Sequence, residues 1–443
     1  MKLQILKCQI LMRIKKNNLN VNLNLRVRGL DISSTLAVNE KCRKMSNDGK
    51  EIFKLGLGQS PFPVPSHVVE ELKRNAHQKD YLPVKGLLTL REAIAEYYFR
   101  TQKVECSSDD IMIGPGSKEL LFILQLVYYG DLIIPTPSWV SYAPQAKIIG
   151  HDVHWAATRE DNFWRLSYAE LESICEKDPD RPRIVILNYP SNPTGYTYPI
   201  ERLKLLAQVA RKYKVVLVSD EIYGGIHHQG QHVSIARFYP EGTIISGGLS
   251  KWCGAGGWRL GTLTFPPSLK WLQNAVSVVA SETFTSTSAP IQYAAIEAFR
   301  ENEEINRYLL HSRRILRCLA HYLTDKLHSM NIPIKLPHGA FYLFPNFENY
   351  REKLAAKSIF TSHELCNAIL NDTGVAMLPG SDFGCKPEIL TMRIAYVDFD
   401  GKIALEASML SNNENGLNET FIKTNCSNIV KAFERLGNWL NEL

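Results

Sequence analysis

The sequence predicts an α/β fold: a large domain on a mostly parallel sheet covered by helices, plus a smaller α+β domain drawn from both chain ends. Three observations carry this. From about residue 68 onward, apolar stretches alternate with amphipathic helical ones, the βαβ pattern of parallel sheets. The runs RIVILNYP (183–190) and KVVLVSDEIY (214–223) are near-continuous in Val, Ile and Leu, as in strands buried on both faces. A chain of 443 residues also exceeds what one hydrophobic core ordinarily serves.

Taken in order, SHVVEELKRNAHQ (66–78) has helical spacing, with Ser66 as N-cap, and GLLTLREAIAEYYFRTQ (86–102) is a second amphipathic helix. DIMIG (110–114) is a short strand followed by the helix GSKELLFILQLVYY (116–129). DLIIPTP (131–137) is a strand ended by prolines. The helix ERLKLLAQVARKY (201–213) separates the two buried strands, and TIISGG (243–248) supplies another strand. Residues 303–330 form one extended helix that links the large domain to the smaller one. SNNENGLNETFIKTNCSN (411–428) is polar and reads as a surface loop insertion. The predicted division is an extension at 1–30, an N-terminal arm and part of the small domain at 31–67, the large domain at 68–310, and the small C-terminal domain at 311–443. No internal repeat is visible.

Composition narrows the function classes. At 45% hydrophobic and 22% charged, the chain has the composition of a soluble globular protein, and no apolar run approaches a membrane span. Nine cysteines are scattered without a CxxC pair, which argues against a disulfide framework or a zinc site and for a reducing, cytoplasmic setting. The net charge of +6 misleads. Residues 1–30 hold seven Lys and Arg and no acid, so the remainder stands at −1 and carries no nucleic-acid footprint. That segment is basic like an organelle transit peptide, yet rich in Asn and Leu and poor in Ser. It reads as a disordered extension, with Met12 as an alternative start and a targeting role as the competing reading.

Ligands of open parallel sheets bind beyond the carboxyl ends of the strands. Four predicted strand ends carry polar groups there: Gly116-Ser117-Lys118 after DIMIG, Asn188 and Asn192 after RIVIL, Asp220 and Tyr223 after VVLVS, and Ser250-Lys251 after TIISGG. A helix opening with Gly116-Ser117 offers free N–H groups and a positive dipole end to a phosphate. Arg259 offers a bidentate phosphate contact. Asp220, behind an apolar strand, needs a cationic or hydrogen-bonding partner. Lys251, in the glycine-rich stretch GGLSKWCGAGGWRLG (247–261), has its amine pKa lowered by desolvation. Each alone has a bland reading: an ordinary βα turn, a surface arginine, a structural acid. Together they match what pyridoxal 5'-phosphate requires, namely a Schiff-base lysine, an acid on the pyridinium nitrogen and a fixed phosphate.

GLSKWCGAGGWRLG resembles the lysine signature of the class I/II aminotransferases of pyridoxal-phosphate fold type I, the aspartate aminotransferase-like enzymes. NYPSNPTG, SDEIY, PTPSWVSY, YLPVKGLLTLREAIAEYY, PHGAFYLFP, MLPGSDFG and MRIAYV resemble further segments of that family, in family order from about Leu55 to Val397. The resemblance implies that Lys251 is the Schiff-base lysine and proton carrier, that Asp220 pairs with the ring nitrogen, and that Tyr223 and Asn192 bond the ring's 3-hydroxyl oxygen. It implies that Trp139 stacks on the ring, that Gly116, Ser117 and Arg259 hold the phosphate, and that Tyr81 reaches the phosphate of a neighbouring subunit in a homodimer with shared active sites. Arg393 would clamp the substrate α-carboxylate with help from the Gly58 backbone, and Trp139 and Asn192 would also face the substrate. One departure is that Gly248 stands where many relatives have a phosphate-binding Ser, leaving Ser250 or Ser246 as substitutes.

The implied reaction moves an amino group from an L-amino acid to a 2-oxo acid. A carbon–sulfur β-lyase or synthase on the same scaffold shares the cofactor residues, and a pyridoxal-phosphate-binding regulatory module is a more remote alternative. The side-chain pocket would draw on Lys118, Trp139, Tyr142, Phe341 and Tyr342. In one branch of aspartate aminotransferases a lysine at the place of Lys118 binds a distal carboxylate, which points to aspartate or glutamate. His227 and His228 are read as loop residues near the sheet edge, without a role.

Overall fold

The computed structural model of the chain describes residues 24, 26–27, 29–30, 32–411 and 417–443. The basic N-terminal stretch, with its extension, targeting and alternative-start readings, lies almost wholly outside the described residues. The described residues form twelve strands: β1 (Phe53–Lys54), β2 (Ile111–Gly114), β3 (Asp131–Pro135), β4 (Val153–Ala156), β5 (Arg183–Asn188), β6 (Val216–Asp220), β7 (Thr243–Gly248), β8 (Gly261–Thr264), β9 (Tyr342–Leu343), β10 (Val375–Ala376), β11 (Leu378–Pro379) and β12 (Met392–Ala395).

Seven of them make one sheet in the order β2-β8-β7-β6-β5-β3-β4. Strands β4, β3, β5, β6 and β7 are parallel, and β8 alone runs against its neighbours β7 and β2. The apolar runs of β5 and β6 show no hydrophobic alternation because both faces are covered. Successive residues divide between two cores. Leu132, Ile134, Ile184, Ile186 and Val218 pack on one face with Leu120 and Leu124 of the helix Ser117–Val127 and Val276 of the helix Lys270–Glu282. Ile133, Val185, Leu187 and Leu217 pack on the other face with Leu171 of Tyr168–Glu176 and Leu203, Leu206 and Ala210 of Ile200–Lys212.

The registers bring the strand ends into line. Asn188 lies opposite Asp220, Asp220 opposite Ser246, and Gly248 opposite Gly261, which in turn faces Gly114. Elsewhere β1 pairs parallel with β10, so the N-terminal arm returns to the C-terminal region, and β11-β12-β9 form a three-stranded antiparallel sheet. The extended helix is Glu303–Ser329, 27 residues with Asn302 as its N-cap, and at 1.5 Å per residue it is about 40 Å long. Ile305, Ile315, Leu319, Leu323 and Leu327 place its apolar stripe in the largest core.

Two local readings are corrected. Ser66 is the first residue of the helix Ser66–Arg74, and Pro65 occupies the cap with no side-chain cap bond; proline's fixed φ already sets the entry of the chain. The 411–428 stretch is not simply a loop. Residues 412–416 lie outside the description, but Glu419–Asn425 is a helix and Ser427–Asn441 a second one. Asn418 accepts a bond from the Phe421 amide at 3.0 Å, and Ile422 and Cys426 are buried. The polar residues here cap and solvate short helices whose few apolar side chains carry the packing.

This second correction is testable. Ile422→Ala should destabilise the protein by about 2–5 kcal/mol, the range for a buried large-to-small change, whereas Thr424→Ala on the exposed side of the same helix should change little. Urea unfolding curves check it; near-equal midpoints for the two variants would restore the loop reading.

Candidate active site

The strand ends enclose a cavity of about 480 Å³ lined by residues from seven parts of the chain. Asp220 closes β6 and is 3% exposed. Its carboxylate accepts a bond from the Tyr142 hydroxyl through Oδ2 and one from the Ile222 amide at 3.3 Å through Oδ1. Burial pushes its pKa up to about 6, against the opposing pull of the Tyr142 and Ile222 bonds and of Lys251. Asn188 Nδ2 donates to the Asp220 carbonyl at 2.9 Å, tying the ends of β5 and β6 together.

Lys251 follows β7. Its Nζ donates to the Gly58 carbonyl at 2.6 Å and lies 5.7 Å from the Tyr223 ring centre. Desolvation first, then Arg393 and Arg259, bring the amine's pKa down to about 8, while Asp220 pulls the other way. Lys118 shows a smaller downward shift, from desolvation and then the charge of Arg259. Three cations (Lys118, Lys251 and Arg259) therefore line the cavity with one carboxylate, Asp220. That imbalance favours anionic ligands.

Gly116 shows why the corner beside Arg259 is bare. Its φ is +96°, which glycine alone adopts freely, and a Cβ there would stand 2.2 Å from an Arg259 guanidinium nitrogen. The helix it opens begins at Ser117, which lines the cavity beside Arg259 and Ser250. Ser246 is buried in β7 with an unpartnered hydroxyl and does not line the cavity, whereas Ser250 does.

Trp139 lines the cavity, edge-on to Tyr142 with ring centres 5.1 Å apart, and Lys118 Nζ sits 5.3 Å from the Trp139 ring centre. Tyr223 is buried and shares a 2.8 Å hydrogen bond with the Tyr342 hydroxyl. Asn192 is buried in the wall; its Oδ1 accepts from Arg393 at 2.9 Å. Arg393 is 2% exposed, also donates to the Gly56 carbonyl at 2.5 Å, and leaves Nε buried without a partner. It thus stands behind the wall rather than on it, a guanidinium held by two neutral oxygens.

Most of the expected residues therefore converge: Gly58, Ser117, Lys118, Trp139, Asn192, Asp220, Tyr223, Ser250, Lys251 and Arg259 all line the cavity, and Gly116 supports it. Tyr81 does not; it is 90% exposed. Of the residues expected in the side-chain pocket, Tyr142 is instead buried behind Asp220, and Phe341 and Tyr342 are buried outside the lining. His227 and His228 are buried rather than peripheral, and His228 Nε2 lies 3.0 Å from the Ala340 carbonyl. Leu36, Leu57 and Gln59 also line the cavity and were not singled out in the sequence. No motif marks them, since the cavity uses them as shape. Tyr142 is the first residue of the helix Tyr142–Ile149, and its place behind Asp220 comes from a contact 78 residues away in the chain.

The donor set fits pyridoxal 5'-phosphate. A half-buried amine of lowered pKa, a desolvated carboxylate, and an arginine beside a helix N-terminus with a bare glycine turn are the three contacts such a molecule needs.

Comparison with known proteins agrees with this geometry. The family model for aminotransferase class I and II matches residues 50–400. The chain is 34% identical over 385 residues to an aspartate aminotransferase of Geobacillus stearothermophilus, covering 84% of this chain and 93% of that protein. It is 31% identical over 367 residues to an aspartate/prephenate aminotransferase of Thermus thermophilus, covering 82% and 91%. The solved structure of the Thermus thermophilus aspartate aminotransferase with maleate superposes with a TM-score of 0.80 at 27% identity, over 94% of this chain and 99% of that chain.

The lowered pKa of Lys251 gives a direct check. In cofactor-free protein, acylation of Lys251 followed by peptide mapping should rise with a midpoint near pH 8, well below the ordinary lysine value of about 10.4. Asp220→Asn should move the midpoint lower still, because it removes the one nearby charge that favours the protonated amine. A midpoint matching exposed lysines of the same digest would contradict the desolvated placement.

Proposed function

The chain belongs to the class I and II aminotransferases, a pyridoxal-phosphate-dependent family, and from that premise we propose that it takes its amino group from a dicarboxylic L-amino acid, aspartate or glutamate, and passes it to a 2-oxo acid such as 2-oxoglutarate. The observation that carries the substrate class is Lys118. Its ammonium lies in the same cavity as Lys251, over Trp139, with no ion-pair partner among the described residues. The names of the relatives, aspartate aminotransferases among them, support the same choice. No feature of the site favours a lyase.

When bound, pyridoxal 5'-phosphate supplies an aldehyde that takes up the amino group and a ring that takes up the electrons released at the substrate's Cα. The residues supply the rest. Gly116, Ser117, Ser250 and Arg259 would hold the phosphate. Asp220, ionised above about pH 6, would pair with the ring nitrogen and keep it protonated, while Tyr142 keeps the carboxylate oriented. Tyr223 and Asn192 would bond the ring's hydroxyl oxygen, and Trp139 would cover its face. Lys251 would act as the base and acid that takes a proton from the substrate's Cα and returns it, and a pKa lowered to about 8 suits both roles at neutral pH. Arg393 receives the α-carboxylate, exchanging bonds to neutral oxygens for a charge-assisted pair.

The working unit is a homodimer with shared sites, in which the exposed Tyr81 completes the phosphate site of its partner. The eight described cysteines are all free thiols, which supports a cytoplasmic setting; no described helix is long and apolar enough to cross a membrane.

A panel of amino donors against 2-oxoglutarate tests the substrate class. Lys118→Ala should raise KM for aspartate and glutamate and lower kcat/KM by about tenfold to a hundredfold, the worth of a charge-assisted hydrogen bond. Rates with apolar donors should barely change. Equal losses for both donor classes would move Lys118 to the cofactor phosphate instead.

Mixed dimers test the sharing. Tyr81→Phe and Lys251→Ala subunits, each impaired alone, should regain one intact site per heterodimer. No recovery in heterodimers verified by mass would place Tyr81 outside the site.

A further inference from the structure

A second cavity, of about 540 Å³, lies against the ends of β6 and β7 and shares no lining residue with the first. The two are separated by the chain itself. Asp220, Ile222 and Tyr223 face the first, while Glu221 and Gly224 face the second; Ser250 and Lys251 face the first, while Gly248 and Trp252 face the second. Gly248 makes this wall thin. Its φ is +146°, and a Cβ there would stand 2.6 Å from the Leu260 carbonyl oxygen.

The polar groups of the second cavity are not those of an ordinary core void. Arg313, from the extended helix, donates through Nε to the Gly225 carbonyl at 2.8 Å, and Arg100 donates to the Phe299 carbonyl at 3.1 Å. Neither forms an ion pair among the described residues, and desolvation lowers the pKa of Arg313 without a nearby carboxylate to offset it. The one carboxylate on the wall, Glu221, is already engaged: it accepts from Ser219 at 2.7 Å and from Ser234, and lies 2.9 Å from His232 Nε2. His232 is 8% exposed, lines the cavity, and leaves Nδ1 buried with no partner. Tyr97, Trp252, Phe299 and Leu309 supply the apolar part of the lining, with the Arg100 guanidinium 5.9 Å from the Tyr97 ring centre. Two guanidinium groups without counter-charge, an unused imidazole nitrogen and an aromatic wall together favour a molecule with an anionic head and an apolar body.

We propose that this cavity is a second binding site, for a small organic carboxylate of about amino-acid size, whose head is held by Arg313 and Arg100. The site does not depend on the transamination chemistry, so its test is a binding measurement.

Isothermal titration of benzoate into the holoenzyme reads it. Arg313→Gln, which should keep its fold by circular dichroism and its turnover, should bind one benzoate fewer per chain than wild type, or bind it about tenfold to a hundredfold more weakly. Arg313→Lys should fall between, since it keeps the charge but loses the planar fork. Arg100→Gln should weaken the same site and guards against a folding defect in the first variant. Identical benzoate stoichiometry and affinity in wild type and both glutamine variants would overturn the proposal. So would a site that takes inorganic phosphate in place of benzoate, because the aromatic wall would then have no part in recognition.

Discussion

A carboxylate at the end of a fully buried parallel strand is the constraint around which this molecule is arranged. Asp220 is carried on β6, the middle strand of the β7-β6-β5 array, where only 3% of it remains exposed, at the cavity. The structure answers with a phenol from Tyr142, an amide from Ile222 and a cation at Lys251, and still leaves its pKa near 6. A buried acid that is only partly compensated stays available to a cationic ligand atom. The parallel registers follow from the same need, since they bring Asn188, Asp220 and Ser246 to one level. The crossover helices that make parallel pairing possible cover both faces and keep the acid dry.

Electrostatics around that acid then set what enters. Lys118, Lys251 and Arg259 line the cavity, with Arg393 behind Asn192. Their mutual repulsion contributes to the low pKa of the amine at Lys251. One phosphate and one or two carboxylates would neutralise the excess, which is the charge pattern of a phosphorylated cofactor with an acidic amino acid. Arg393 is held off the cavity by neutral oxygens and is positioned in advance, with the carboxylate of Asp382 acting on it from nearby but forming no direct ion pair among the described residues.

The neighbouring acid, Glu221, meets burial differently. With Ser219, Ser234 and His232 around it, its oxygens are satisfied from within the protein. Two successive acids on one strand end therefore point to opposite sides, one left open for a ligand and the other closed by a network. The glycine-rich stretch divides in the same way: Gly256 and Gly257 line the first cavity, and Gly247 and Gly248 line the second.

Much of this was legible in the sequence, for identifiable reasons. The α/β class, the long helix at 303–329 and the buried strands β5 and β6 are written in hydrophobic runs and period, which depend on local order alone. The roles expected of Lys251, Asp220, Arg259 and Ser117 followed from residue type beside strand and helix ends, which the chain order also fixes. The helix at 419–425 was hidden because its few apolar positions, such as Ile422, gain their meaning only from a core formed elsewhere. The partner of Asp220 was hidden too, since Tyr142 is 78 residues away and nothing local says which way its ring turns. The same holds for Arg393 on Asn192, for Leu36 in the cavity lining and for the guanidinium of Arg313 in the second cavity. The sequence determined which groups are present and which strand ends carry them. Tertiary structure decided which are paired, which are left without a counter-charge and how far each is desolvated, because those properties depend on distances between segments remote in the chain.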